Sequence, residues 1–175
     1  MNEILKAMRE RRSVRKFKPE APTQAEIDQV VEAGLYAASG RGKQESIIIV
    51  VRNKELRDKI AESNRIVGGW DKGFDPFYGA PVILIVLDEK TWPTCGYDGS
   101  LVIGNMMLAA HSLGLGSCWI HRAKEEFEQD EYKALLASLG IEGEYVGVGH
   151  VALGYAVDPI PAPPERKPNR VYTVD

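Results

Sequence analysis

A chain of 175 residues, 44% of them hydrophobic, fits a single compact domain over 1–175 with a sizeable core. The longest aliphatic runs, 47–51 and 82–87, fall far short of the roughly 20 residues that cross a bilayer. The charged opening Met1-Asn2-Glu3-Ile4-Leu5-Lys6 has no leader-like apolar stretch, so no membrane association and a cytoplasmic location are expected. A net charge of -3 argues against general nucleic-acid affinity. Cys95 and Cys118 read as free thiols, and the scattered His111, His121 and His150 make a zinc site improbable.

In chain order, Ile4, Leu5 and Met8 share one face of a first helix that ends near Arg11, and Pro19 and Pro22 then keep the chain extended. Thr23-Gln24-Ala25-Glu26 is a capping box, followed by Ile27, Val30, Val31 and Leu35 at helical spacing; this helix should stop before Ser39-Gly40-Arg41-Gly42. Residues 47–51 read as a strand buried on both faces, and Asn53 caps a helix through Leu56 and Ile60. The stretch 64–79, with Gly68-Gly69, Gly73 and Asp75-Pro76, reads as a long loop of the kind that is often functional.

Residues 82–87 form a second buried strand. The helix over 97–113 is apolar nearly all round, so it is either central in the core or laid against a second subunit. A strand over 115–120, a helix over 125–139 with Phe127 and Leu135 inward, and a glycine-rich strand over 145–155 complete a helix-flanked sheet. The proline-rich arm 159–168 cannot be a central strand and must run over a surface.

The most informative segment is Arg11-Arg12-Ser13-Val14-Arg15-Lys16-Phe17, where a helix gives way to extended chain. Alternate residues of an extended chain point the same way, so Arg11, Ser13 and Arg15 can converge on one ligand, and guanidinium forks match phosphate oxygens bidentately. A phosphate-bearing cofactor is one reading of this cluster; a solvated basic face is the other.

Four segments taken together resemble the short FMN-dependent nitroreductases: 11–15, the loop Ala38-Ser39-Gly40-Arg41-Gly42-Lys43-Gln44, the run Gly114-Leu115-Gly116-Ser117-Cys118-Trp119-Ile120-His121, and the proline arm ending in Arg166-Lys167. The likeness spans almost the whole chain. It implies an α+β fold, a nitroreductase-like mixed sheet flanked by helices, assembled as a homodimer with FMN at the subunit interface. It further implies that NAD(P)H gives hydride to flavin N5 and that a planar acceptor such as a nitroaromatic or quinone takes it up. A flavin-binding sensor or storage module, and a flavin-fragmenting or dehalogenating relative, are the alternatives.

Carried over by this resemblance, Arg11, Ser13 and Arg15 are flavin-binding positions, with Arg15 directed at the N1/O2 edge of the ring. Arg12 lies in the same basic cluster at a position where the family varies. Arg166 and Lys167 match the phosphate ligands of the C-terminal arm, Ser39 and Gln44 the loop supplied by the partner subunit, and Trp119, Ile120 and His121 the strand end beside N5. Asn64 is the candidate for the family's asparagine at the ring's polar edge. The chain departs from the family at Ala38, Gly42 and Glu45, so the side-chain bond expected from an asparagine in this loop is missing.

The flavin carries the redox chemistry, which suits a chain with no visible catalytic triad. The His121 imidazole either packs locally or donates a proton, and Trp119 either packs or stacks on the ring. Cys118 reads as a small buried hydrophobe. Trp70, Phe74, Phe77 and Tyr78 either wall a planar acceptor or form the loop's own hydrophobic cluster.

Overall fold

Aliphatic residues alternating between two faces set the centre of the molecule. In the computed structural model, which describes residues 1–175, strands β1 (Ser46–Val51), β2 (Val82–Glu89), β3 (Gly116–Ile120) and β4 (Tyr145–Gly154) form an antiparallel sheet in the order β1-β2-β4-β3. On β2, Ile83, Ile85 and Leu87 enter one core while Val82, Leu84 and Val86 enter the other. A strand buried on both faces needs such an unbroken run. β1 is instead an edge strand: its residues are mostly half-buried and Val50 is exposed, which corrects the doubly buried reading. An aliphatic run alone does not disclose that one lateral neighbour is missing.

Helices α1 (Glu3–Glu10), α2 (Gln24–Leu35), α3 (Lys54–Gly68), α4 (Tyr97–Ser112), α5 (Ala123–Phe127) and α6 (Asp130–Ser138) surround this sheet. On one face α2 and α4 contribute Ile27, Val30, Ile103 and Met106 to the core. On the other, α3, α5 and α6 contribute Ile60, Phe127, Tyr132 and Leu136. Thr23 forms the expected capping box with Glu26, and Asn53 caps α3 through the Leu56 N–H at 2.8 Å. No helix is long and apolar enough to cross a membrane.

Two boundaries differ from the sequence reading. α3 continues to Gly68 and ends on Gly69 at φ 68°, so Asn64 lies on a helix and not at the start of a loop. A polar residue in an inward helical slot had hidden the periodicity. The helix expected over 125–139 is two helices, broken where Gln129 is extended at φ -78°, ψ 144°. The break brings the Phe127 and Tyr132 rings to 5.3 Å and turns Tyr132 and Leu136 fully inward, leaving Leu135 half-buried.

α5 is clamped to β4. The fully buried Glu126 carboxylate and His150 imidazole approach to 3.0 Å, and Phe77 lies edge-on to that imidazole at 5.2 Å. Gly147 makes the contact possible, because a Cβ there would lie 2.1 Å from the Ala123 carbonyl oxygen. The expected outcome for Gly147→Ala is a loss of about 1–3 kcal/mol in urea unfolding, since neither backbone can yield without moving α5.

Candidate functional site

The basic segment leaves α1 and is sewn to the end of the sheet by backbone hydrogen bonds. Ser13 forms a parallel bridge with Ser117, and the Val14 N–H donates to the Ser117 carbonyl at 2.9 Å. Farther along, the Lys18 N–H donates to Tyr155 at 2.9 Å and the Val157 N–H to Lys16 at 3.1 Å, with Phe17 buried beneath. Gly116 permits this approach, because a Cβ there would meet the Val14 side chain at 2.9 Å.

The seam gathers Arg11, Ser13 and Arg15 around Cys118. Burial pushes the Cys118 thiol up, while Arg15, the Ser13 hydroxyl and Arg11 beside it pull the other way. Nη1 of Arg11 is buried without a hydrogen-bond partner. A buried donor left unpaired costs about 1–3 kcal/mol, more when charged, so this corner is suited to an anion. Arg11 and Arg12 share a cavity of about 600 Å³ with Arg9, Glu165 and Arg166. Arg12 is partly committed elsewhere: its guanidinium donates to the carbonyls of Arg11 and Arg9, the latter at 2.7 Å, and so closes the end of α1. Lys167 lines a neighbouring shallow cleft with Arg166 and Arg170.

At the far end of β3, Trp119 packs against the α2/α4 core with its indole over Gly149, Ile120 is buried in the opposite core, and His121 is exposed. Asn64, fully buried on α3, donates through Nδ2 to the His121 carbonyl at 2.9 Å, and its Oδ1 is unpartnered. Asn64 thus braces the backbone where the strand ends.

Ser39 and Gln44 lie at the opposite edge of the sheet, beside β1. The Ser39 hydroxyl accepts from the Gln44 N–H at 3.0 Å, and Arg41 and Gln44 are left-handed at φ 54° and 58°. Two buried carboxylates fix this loop. Asp98 accepts from the Gly40 N–H at 3.0 Å and from the Thr94 hydroxyl at 2.7 Å. Asp88 accepts from the Ser46 hydroxyl at 2.6 Å and from the N–H groups of Gly96 and Gly99, capping α4 from outside the helix. Three strand spacings, roughly 14 Å, separate the two sheet edges, so one chain does not bring Ser39 and Gln44 to the arginine cluster.

Sequence reasoning missed Asp88, Asp98, His111 and Arg122. A carboxylate directly after the aliphatic run of β2 was the available signal for Asp88. His111, in the last turn of α4, had none, because its neighbours come from α1: burial and the Arg11 and Arg12 guanidiniums lower its pKa from the ordinary 6.5, with Glu10 opposing them.

The sequence profile of the nitroreductase family matches residues 8–67 and 68–155, and the chain belongs to that family. A protein of Archaeoglobus fulgidus, provisionally named as an NADH dehydrogenase/NAD(P)H nitroreductase, is 30% identical over 90% of this chain and 88% of its own length. A Methanothermobacter thermautotrophicus protein with the same provisional name is 35% identical over 67% of this chain, a match spanning 60% of that relative. Among solved structures, a Bacteroides fragilis nitroreductase with bound FMN superposes with a TM-score of 0.88 at 30% identity, covering 100% of both chains.

His111 reports on the cradle. Its depressed pKa means that the unfolded chain takes up this proton more readily, so this group's contribution to stability increases as pH rises toward 6.5. Burial is the largest cause of the lowering, and an anion bound among the arginines offsets the part that Arg11 and Arg12 add to it. The expected result by NMR titration is a His111 midpoint below 6.5 in the ligand-free protein and an upward shift when FMN or inorganic phosphate is added.

Proposed function

We propose that the chain is an FMN-dependent oxidoreductase, reduced by NAD(P)H and reoxidised by a planar acceptor such as a nitroaromatic or a quinone. The observation that carries this reading is the buried, unpartnered guanidinium nitrogen of Arg11, a residue held with Arg15 and Ser13 along β3 that also lines a cavity shared with Arg166. When bound, a flavin supplies hydride acceptance from a nicotinamide and later delivery of the electrons to an oxidant. The protein's part is to bind and orient it. Arg11 and Arg166 would hold the phosphate, with Lys167 adding charge from the arm. The strand end at Trp119, Ile120 and His121, braced by Asn64, would run along the ring.

Arg15 has an electrostatic role in this arrangement. A fixed guanidinium at the polar edge of the ring favours the negative charge gained on reduction. A charge pair near 4 Å is worth roughly 4 kcal/mol at an effective dielectric of about 20, and an exposed Arg15 retains only part of that.

The active unit is a homodimer on this reading. Ser39 and Gln44 stand across the sheet from the arginines, so a second copy is needed to bring them to the same ligand. The single chain also leaves much apolar surface open: α1 buries no residue, Tyr97 and Leu101 of α4 are exposed, and every residue from Val157 to Asp175 is exposed, including Tyr172 at 84%. Large apolar side chains left exposed in this number are in keeping with such an interface.

Purified protein is expected to be yellow and dimeric by light scattering, and to bleach on anaerobic addition of NADH or NADPH before a nitroaromatic or quinone restores the colour. A colourless protein indifferent to FMN refutes the proposal, and binding without reduction favours a storage module. Arg15→Ala is expected to lower the flavin midpoint potential in spectroelectrochemical titration. If roughly 1–2 kcal/mol of the interaction survives screening, the shift is about 20–40 mV for a two-electron couple.

A further inference from the structure

The corner after β3 carries a cation that the assigned flavin contacts do not use. Arg122 follows His121 directly and is left-handed, at φ 82°. A non-glycine residue pays for that conformation, and glycine or asparagine would hold it more cheaply. The corner is nevertheless fixed from both sides: Asn64 holds the His121 carbonyl at 2.9 Å, and the Glu126 N–H donates to the Arg122 carbonyl at 3.1 Å.

The side chain is equally well placed. Its guanidinium carbon lies 4.3 Å from the centroid of the Trp70 ring, a cation–π stack that fixes the plane of the fork. Trp70 is itself clamped, since Arg65 donates to its carbonyl at 2.6 Å and the ring packs against Gly68, where a Cβ would come within 2.6 Å. Trp70 continues into Phe74 at 5.1 Å and Phe74 into Tyr78 at 6.0 Å, forming an aromatic wall. Arg57 and Arg65 nearby are neutralised by Asp75 and Glu62. The Arg122 guanidinium has no ion pair and donates no hydrogen bond within the chain.

A positive fork held flat on an aromatic face, with its donors unspent, is suited to a carboxylate or phenolate on a flat ring. Arg122 lies past the end of β3 at Ile120, whereas the arginine cradle gathers around Cys118 within the strand. The two cations stand at different places on the molecule and can serve different anions. We infer that Arg122, stacked on Trp70, forms an acceptor subsite selecting planar aromatics that bear an anionic substituent. This inference rests on the oxidoreductase reading and names the substrate class of that site.

The test uses the holoenzyme and two isosteric pairs, 4-nitrobenzoate with 4-nitrobenzamide as acceptors and benzoate with benzamide as unreactive ligands. In wild-type protein, kcat/KM favours the nitrobenzoate and calorimetry shows tighter binding of benzoate. In Arg122→Gln the nitrobenzoate to nitrobenzamide ratio of kcat/KM falls at least tenfold, and the benzoate to benzamide affinity ratio falls with it. Arg122→Lys recovers part of both ratios. Trp70→Leu, which keeps the charge and removes its platform, lowers the same ratios and serves as a second variant if Arg122→Gln folds poorly. Ratios unchanged in both variants overturn the inference. So does an effect confined to the KM of NADPH relative to NADH, which would assign the cation to the donor's phosphate. The calorimetric ratio does not depend on turnover, so a protein that fails to oxidise NAD(P)H sinks the oxidoreductase reading and still reports on this subsite.

Discussion

Everything at the candidate site depends on the backbone seam between residues 13–18 and the ends of β3 and β4. Three guanidiniums within five residues repel one another, and each long side chain resists being ordered. A like-charge pair about 6 Å apart costs roughly 3 kcal/mol at an effective dielectric of 20, before solvent screening. The main-chain bonds from Val14, Lys18 and Val157 hold the segment in place against that repulsion, and burial of Phe17 adds about 1.5–3 kcal/mol. Side-chain ion pairs could not do this without cancelling the charge. Because the anchoring is in the backbone, the cluster retains its positive potential for a ligand, and a bound anion relieves repulsion already built into the fold.

The sheet order imposes the second constraint. β3 and β1 are opposite edges, so the arginine cluster and the Ser39 loop flank the sheet without meeting. Each is rigidly presented all the same. The loop hangs on Asp98 and, through Ser46 and the start of α4, on Asp88, so the helix that bears the exposed Tyr97 and Leu101 also sets the loop. Any surface that docks against α4 therefore receives the Ser39 loop in a fixed position relative to that docking face.

Much of this was legible in the sequence where a local rule acted alone. The capping box at Thr23, the alternating aliphatics of β2 and the glycines around Ser39 each specify their conformation without help from distant residues. Legibility failed where tertiary context decides. β1 looks like β2 in composition, and only its lack of a second neighbour makes it an edge. Asn64 breaks an apolar helical pattern because its partner is a carbonyl 57 positions away. His111 and Arg122 carry no motif; what distinguishes them is Arg11 and Arg12 beside one and Trp70 beneath the other. For the site residues, order and spacing of weak segments indicated the family, while the division of labour within the basic run emerged only from geometry. Arg12 spends both terminal nitrogens on its own neighbours' carbonyls and closes α1, and Arg11 keeps its terminal Nη1 unused.

The arginines differ in how they are held. Arg57 and Arg65 are matched with carboxylates at 2.5 and 2.7 Å and tie α3 to the loop that follows it. Arg11, Arg15 and Arg122 have no carboxylate partner within the chain, although it carries 25 acidic residues against 22 basic ones and has acids to spare. Each is instead positioned by uncharged means: backbone pairing along β3 for the first two, a left-handed corner and an indole face for the third. Neutral scaffolding is the arrangement that fixes a cation while leaving its field intact. The arginine cluster beside β3 and Arg122 just past its end are thus two separate positive poles, each held in place with its charge unspent.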